Sequence, residues 1–273
     1  MKRTHPKTLP IGHACFTLYF NKISIHSSGN LLSRQAINGH CLPYICTVHS
    51  QLPFYKLSMQ SSDSPSTKTI YIIRHGQTDF NQLGIVQGAG IDSDINAFGK
   101  QQADAFFQAY KHIPFAHIFV SALKRTHQTI APFKNIGIPV STLSELNEIN
   151  WGILEGKKPN DQSRKEFYTM LKYWRNGELD RAINGGETPM AMAKRQKIGL
   201  QKIEAMAETP FLICMHGRAL RAFLCLLLNN PLQQMDQFKH ENVCLYVLEK
   251  HKNDAHYSII LRNNLDHLSH LKH

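Results

Sequence analysis

The chain has 273 residues, of which 42% are hydrophobic and 19% are charged, so it can bury a substantial core and is not expected to be disordered. No apolar run approaches the roughly 20 residues that a membrane helix needs, so no membrane-spanning protein is expected. The net charge of +11 would suit a nucleic-acid partner, but residues 1–58 hold six basic residues and no acidic one. Less than half of the excess charge belongs to the rest of the chain, so no nucleic-acid partner is expected.

Residues 1–58 differ in composition from the rest of the chain. They contain three of the six cysteines and five of the sixteen histidines, and neither helical nor strand periodicity runs through them. The polar stretch 59–68 is typical of a linker, which predicts a separate domain over residues 69–273. The leader can be a targeting segment, a tethering extension, or upstream sequence translated ahead of a true start at Met59. Two arginines and scattered apolar residues fit a transit peptide poorly, and we favour the start at Met59.

From residue 69 onward, short apolar runs alternate with amphipathic stretches. Asn96 predicts the N-cap of one helix, Thr188-Pro189 the start of a longer one that reaches Met206, and the apolar spacing over 220–228 a third. This alternation predicts a three-layer α/β/α domain with a mostly parallel central sheet and helices on both faces. The strands are predicted at 70–73, 118–120, 211–215, 244–248 and, at an edge, 257–261.

Basic and polar residues follow three of the predicted strands. Arg74 and His75 come directly after the first strand, Arg125 lies shortly after the second, and His216 follows the strand at 211–215. Because the carboxyl ends of parallel strands meet at one edge of a sheet, we expect these four side chains to lie close together. Two forked guanidinium groups beside two imidazoles suit the recognition of a phosphate group.

Several motifs extend this pattern over about residues 69–250. They are Arg74-His75-Gly76-Gln77-Thr78 with Asn81, Gln87-Gly88, Gly99 with Gln102-Ala103, Ser121-x-Leu123-x-Arg125-x-x-Gln128-Thr129, Leu146-x-Glu148-x-x-x-Gly152-x-x-Glu155-Gly156, Gly186-Glu187-Thr188 and His216-Gly217. Together they resemble the signature of the histidine phosphatase superfamily, also called the phosphoglycerate mutase-like family. The family usually places Arg where this chain has Ile85, so one substrate contact is absent.

The resemblance implies phosphoryl transfer through a phosphohistidine. We expect His75 to attack phosphorus as a neutral imidazole, with its other ring nitrogen held by a backbone carbonyl in the Gly76 turn. Arg74 and Arg125 would bind the phosphate oxygens through their forked donors. His216 would donate to the same oxygens and, if protonated, would add charge stabilisation.

The resemblance also implies that Glu148 is the general acid, with Glu145 and Glu155 as alternatives. The further predicted substrate contacts are Asn81, Gln87, Gly88 and Gly217. Asn81 could instead be a turn residue, Glu187 could be a substrate contact or a first-turn acid, and Trp151 and Trp174 are expected to pack in or at the rim of the core.

These observations favour a metal-independent phosphomonoester hydrolase that acts on a small phosphorylated metabolite. The alternatives are a phosphoglycerate mutase and a catalytically silent phosphate-binding domain. Only 59 residues separate Gly156 from His216, which looks like the shorter arrangement of the phosphatases, and the basic segment 157–186 is a candidate cap with contacts for an anionic substrate. We expect no cofactor and no metal site, leave a homodimer open, and infer from six unpaired cysteines a reducing, cytoplasmic location.

Overall fold

A mixed sheet of six strands forms the centre of the domain. The computed structural model describes residues 66–271, so the predicted leader and the boundary at Met59 lie outside the described residues. Across the sheet the strands follow the order β3-β2-β4-β1-β5-β6, numbered along the chain. They are β1 (Thr67–Arg74), β2 (His117–Val120), β3 (Val140–Thr142), β4 (Phe211–Met215), β5 (Leu245–His251) and β6 (Ser258–Asn264).

Five of these strands run in one direction. The pairs β3/β2, β2/β4 and β4/β1 are parallel, whereas β5 is antiparallel to both β1 and β6. The prediction of a mostly parallel sheet is therefore confirmed, and all five predicted strands are present. Strand β3 was not predicted, because its three residues are partly exposed and include Ser141 and Thr142, so they form no apolar run.

Helices connect the strands and carry the predicted caps. Asn96 Oδ1 accepts from Gly99 N at 2.9 Å, and Thr188 Oγ1 accepts from Ala191 N at 3.1 Å, so both predicted helix starts are confirmed. The helix that begins at Pro189 ends at Glu204, short of Met206. The helices are α1 (Asp79–Gln82), α2 (Ala97–Tyr110), α3 (Lys124–Thr129), α4 (Ala131–Asn135), α5 (Asp161–Arg175), α6 (Pro189–Glu204) and α7 (Gly217–Leu228).

Two separate cores cover the two faces of the sheet. In β4 the side chains of Phe211, Ile213 and Met215 belong to one core, and those of Leu212 and Cys214 to the other. This division follows from the alternation of side chains along a strand. Residues of α6 and α7 pack in the first core and residues of α2 and α4 in the second, which confirms the three-layer α/β/α architecture.

Two tryptophans lie in the first core. Trp151 and Trp174 are both buried in it and stack with ring centroids 5.4 Å apart, as expected for core residues. The three cysteines of the described chain, at 214, 225 and 244, are free and buried. Between residues 66 and 271, no helix is both long enough and apolar enough to cross a membrane.

The antiparallel direction of β5 brings an additional loop to the functional edge. Ile73, near the carboxyl end of β1, pairs with Leu245, the first residue of β5. The residues that precede β5 therefore lie beside the carboxyl ends of the parallel strands. This edge holds the residues that come after β1, β2 and β4.

Candidate active site

Backbone hydrogen bonds fix the end of β1. The ladder to β4 continues one residue beyond the strand, because His75 N donates to Met215 O at 2.9 Å. Gly76 N then donates to Thr129 Oγ1 at 2.9 Å. A Cβ atom on Gly76 would lie 2.6 Å from Gly99 O, so only glycine allows this turn to pack against the start of α2. The main chain thus sets where the side chain of His75 leaves the sheet.

The His75 ring is held as a neutral imidazole with one nitrogen available. Its Nδ1 donates to Gly76 O at 2.8 Å, which confirms the expected carbonyl partner. No described residue forms a hydrogen bond with Nε2, and the ring is buried in the wall of a small cavity. Burial and the charges of Arg125 and Arg74 hold the pKa of His75 well below its usual value. A lone pair on Nε2 is therefore available for nucleophilic attack.

Arg74 places positive charge beside this nucleophile. Its Nη1 donates to His240 O at 2.7 Å, while its Nε is buried and has no hydrogen-bond partner among the described residues. Burial lowers the pKa of Arg74, and the charge of Glu148 opposes that shift. A guanidinium with an unused buried donor is suited to an anion that enters the cavity.

Arg125 and His216 lie in a layer behind the cavity. Arg125 is fully buried, and its Nε donates to His216 Nδ1 at 3.1 Å. Its terminal nitrogens donate to Gly88 O at 3.2 Å and to Ile91 O at 2.7 Å. Burial lowers the pKa of Arg125 to about 10, so the group keeps its charge near neutral pH. In this structure Arg125 therefore fixes the loop at Gly88 and acts on His75 through its charge.

The hydrogen bonds of His216 fit a neutral ring rather than a protonated one. Because Nδ1 accepts from Arg125, the proton of the neutral ring lies on Nε2, which donates to Ser121 Oγ at 2.7 Å. Burial and the charge of Arg125 hold the pKa of His216 well below its usual value. The ring is thus neutral, and both of its nitrogens are engaged by protein partners rather than directed at a ligand.

Glu148 lies at the N-terminus of α7. Its Oε1 accepts from Ile149 N at 2.9 Å and from Ala219 N at 2.8 Å, and its Oε2 accepts from Arg218 N at 3.0 Å. The carboxylate therefore satisfies free N–H groups of the helix and interacts favourably with its dipole. Since each carboxylate oxygen can accept two hydrogen bonds, Oε2 retains one position for a proton.

The small cavity has a volume of about 170 Å³ and joins residues from several elements. Its apolar wall is formed by Ile85, Val86, Trp151 and Phe167, the last from α5. Six of the nine predicted site residues line it, and Gly88, Arg125 and His216 do not. The six that do are Arg74, His75, Asn81, Gln87, Glu148 and Gly217.

Asn81 and Gln87 shape this cavity in different ways. Asn81 Oδ1 accepts from Thr78 N at 3.2 Å and from Asn242 Nδ2 at 3.1 Å, and its own Nδ2 donates to no described residue. Asn81 is thus part of a capping turn and still has a donor for a ligand. Both amide atoms of Gln87 are used internally, by Thr78 Oγ1 at 2.8 Å and by Ser93 Oγ at 2.6 Å.

The alternative carboxylates lie away from the cavity. Glu145 pairs with Lys202, and Glu155 accepts from Trp151 N at 2.7 Å and Gly90 N at 2.9 Å. Neither lines the cavity, so Glu148 is the better placed candidate acid. Glu187 forms a two-point ion pair with Arg195, and in this structure it is a structural residue.

Within residues 66–271 there is no group of three or more His, Cys, Asp or Glu side chains that could hold a metal ion.

Two polar residues that line the cavity were not assigned from the sequence, Arg218 and His240. Arg218 lies over Trp174 and Trp151, 5.7 and 5.8 Å from the ring centroids, and its Nη1 donates to Asp236. Its position directly after His216-Gly217 was a usable signal. His240 precedes β5, and only the antiparallel direction of that strand brings it to the site. Burial and nearby arginines lower the pKa of His240 to about 3.

Comparison with known proteins agrees with this geometry. The family model of the histidine phosphatase superfamily (branch 1) matches residues 70–262. The probable phosphoglycerate mutase GpmB of Yersinia enterocolitica is 32% identical over 164 residues, which cover 59% of this chain and 75% of the relative. The protein of the same name from Yersinia pestis is 30% identical over 178 residues, which cover 64% of this chain and 82% of the relative.

Solved structures share the fold at lower identity. A mycobacterial glucosyl-3-phosphoglycerate phosphatase has a TM-score of 0.64 and 21% identity, over 73% of this chain and 100% of that one. The alpha-ribazole phosphatase of Shigella flexneri has a TM-score of 0.62 and 22% identity, over 72% of this chain and 96% of that one. These similarities support the architecture, whereas the family model covers most of the chain, including His75 and His216. The chain therefore belongs to the histidine phosphatase superfamily.

Proposed function

We propose that this protein is a phosphomonoester hydrolase that works through a phosphohistidine on His75 and needs no metal ion. The observation that carries the proposal is the His75 ring, which is neutral, held through Nδ1 and free at Nε2, in the wall of a cavity that Arg74, with its unpaired Nε, also lines. A neutral imidazole nucleophile beside fixed positive charge is what attack on a phosphate dianion requires.

In the first step, the lone pair on His75 Nε2 attacks phosphorus. A P–N bond forms while the P–O bond to the alcohol breaks, and the electron pair of that bond stays on the departing oxygen. Glu148, protonated at Oε2, gives its proton to this oxygen, so the alcohol leaves as a neutral molecule. The charges of Arg74 and Arg125 and the free amide donor of Asn81 support the negative charge on the phosphoryl oxygens.

In the second step, a water molecule takes the place of the alcohol. Glu148, now ionised, accepts a proton from the water as its oxygen attacks phosphorus. The P–N bond breaks, its electron pair returns to His75 Nε2, and inorganic phosphate leaves. Both groups are then in their starting protonation states, and the next substrate can bind.

A phosphoglycerate mutase is the second candidate, and the names of the relatives at 30% and 32% identity support it. The same phosphohistidine would then pass its phosphoryl group to a second hydroxyl of the substrate instead of to water. The short interval of 59 residues between Gly156 and His216 favours the hydrolase.

The test is steady-state turnover by the full chain with EDTA present. We expect phosphate release from p-nitrophenyl phosphate and from a panel of metabolite phosphates, and we expect His75→Ala to abolish it. 3-Phosphoglycerate belongs to the panel, with formation of 2-phosphoglycerate followed separately. Trapping a phosphorylated, acid-labile and base-stable form of the wild-type protein would identify the intermediate.

The outcomes separate the candidates. Isomerisation of 3-phosphoglycerate without phosphate release would replace the hydrolase by the mutase. Wild-type turnover in a correctly folded His75→Ala variant would disprove the nucleophile. Phosphate binding without turnover of any substrate in the panel would favour the silent phosphate-binding domain, and activity that disappears with EDTA would disprove metal independence.

A further inference from the structure

A second and larger cavity, of about 680 Å³, adjoins the active-site cavity. The two cavities share Val86 and Phe167 as lining residues. Most of the remaining lining comes from the segment 154–168, which leads into and includes the first half of α5. This segment lies largely within the stretch that the sequence identified as a candidate cap.

The shared residues indicate which part of a substrate would reach the second cavity. Arg74, His75 and Asn81 supply polar lining of the active-site cavity, and the phosphoryl group would bind beside them. Val86 and Phe167 belong to its apolar wall and have no side-chain donors for phosphate oxygens. The organic part of a phosphomonoester would therefore lie along this wall, next to the second cavity.

The second cavity combines positive charge with exposed apolar surface. Lys157, Lys158 and Arg164 line it, no acidic residue does, and none of the three forms an ion pair with any residue in the described part of the chain. Leu83 and Tyr168 also line it, and each is 63% exposed. Unpaired cations beside large exposed apolar side chains suit a ligand with an apolar body and an anionic end.

We propose that this second cavity is a substrate subsite, and that the enzyme prefers phosphomonoesters whose organic part carries a second anionic group held by Lys157, Lys158 and Arg164. The inference rests on the proposed function and deepens it by naming the substrate class. A third cavity, of about 780 Å³, is a weaker candidate. It shares Arg74 and His240 with the active-site cavity, but no residue of the apolar wall, and the acidic residue Glu241 lines it.

The experiment compares two matched series of substrates with the full chain. One series is butyl, hexyl and octyl phosphate, and the other carries a non-hydrolysable phosphonate in place of the terminal methyl group. We expect the phosphonate to raise kcat/KM about tenfold for at least one chain length, since each exposed ion pair contributes modestly. The gain should shrink at high ionic strength, because exposed charges are screened.

Variants show which residues produce the gain in kcat/KM. The triple variant Lys157→Ala, Lys158→Ala, Arg164→Ala should bring the ratio of kcat/KM between the two series close to one. Lys165→Ala removes a neighbouring charge of α5 that does not line the cavity, and Lys239→Ala removes one from the third cavity. Both controls should keep the wild-type ratio.

A wild-type ratio near one at every chain length, or a ratio that the triple variant does not change, would overturn the inference. So would loss of the ratio in Lys239→Ala, which would place the second anion in the third cavity. If no substrate is hydrolysed, the proposed function is wrong, but the subsite can still be tested. Calorimetry then compares the affinities of hexane bisphosphonate and hexylphosphonate. Tighter binding of the bisphosphonate that the triple variant loses would support the subsite, and equal binding would overturn it.

Discussion

Two parts of the polar lining of the active-site cavity, a His75 wall and a Glu148 wall, are positioned by different parts of the chain. On one wall, His75 directly follows the end of β1 and Gly217 lies two residues after the end of β4, and the ladder between β1 and β4 holds His75 in place. On the other wall, Glu148 belongs to a loop between short 3₁₀ turns. Backbone N–H groups of α7 bind its carboxylate, and a side chain of α6 binds its carbonyl group. A residue at the end of a strand is therefore placed by the sheet, whereas Glu148 depends on partners far away in sequence.

Arg195 of α6 is the main partner of the Glu148 loop. Its Nη1 donates to Glu145 O and to Asn147 O, both at 2.8 Å, and its Nη2 donates to Glu148 O at 3.1 Å. The remaining two donors bind the Glu187 carboxylate at 2.7 and 2.8 Å. All five donors of the guanidinium are thus used, and three of them fix the backbone that carries the candidate acid.

The largest expected effect within this comparison follows from Glu148→Gln. If Glu148 donates a proton to the departing alcohol, kcat on alkyl phosphates should fall by about 10²- to 10⁴-fold. The loss on p-nitrophenyl phosphate should be much smaller, because nitrophenolate leaves with little need of a proton. The measurement is kcat for both substrates with wild type, Glu148→Gln and the matched control Glu145→Gln from the same loop.

Folding must be checked for this variant, because the amide nitrogen of Gln cannot accept from the N–H groups at the start of α7. A thermal melt separates that effect from catalysis, and the ratio between the two substrates does not depend on the fraction of folded protein. Equal losses on both substrates would move the acid role away from Glu148.

A smaller effect is expected for Arg195→Gln, which tests whether the position of Glu148 depends on a side chain of α6. The variant leaves the loop carbonyls without their donors, so Glu148 should shift and kcat on alkyl phosphates should fall by about 10- to 100-fold. Arg195→Lys should recover little, since an ammonium cannot reproduce the fork. A positioning role requires that p-nitrophenyl phosphate is affected less, and that the effect disappears when Glu148 is already Gln.

Adding Glu187→Gln to Arg195→Gln removes the carboxylate that would otherwise be left unpaired. If this pair of changes restores stability but not kcat on alkyl phosphates, the loss comes from the position of Glu148. Full recovery of kcat would mean that Arg195 serves stability alone.

The sequence predicted the residues that directly follow strands better than those placed by distant contacts, for the same physical reason. His75 and His216 follow buried apolar runs, so their place at the sheet edge could be inferred from neighbours in the sequence. Arg195 and His240 could not be found in this way. The contact of Arg195 depends on the packing of α6 against a loop some 50 residues earlier, and the place of His240 depends on the direction of β5.

The histidines at the strand-end edge also make stability depend on pH, which gives the smallest effect we predict. His75, His216 and His240 lie at the strand-end edge, and burial together with nearby arginines lowers the pKa of each. In the unfolded chain these groups take up protons near their ordinary pKa of about 6.5, while the folded protein does not. Because the unfolded state then binds more protons, stability should fall as the pH decreases below about 6.5.

His240→Gln tests this assignment without removing the nucleophile. Folded His240 stays neutral until the pH approaches its pKa of about 3. Between pH of about 6 and 5, its protonation in the unfolded chain should therefore lower the free energy of unfolding by up to about 1.4 kcal/mol per pH unit. The variant should therefore lose less stability than wild type over that interval, as measured by urea unfolding at several pH values. Carboxylates such as Asp236 act in the same direction, but mainly below that interval, near the ordinary aspartate pKa of about 3.9. Equal slopes for wild type and variant would show that His240 takes up its proton in the folded protein, and hence that this edge tolerates positive charge.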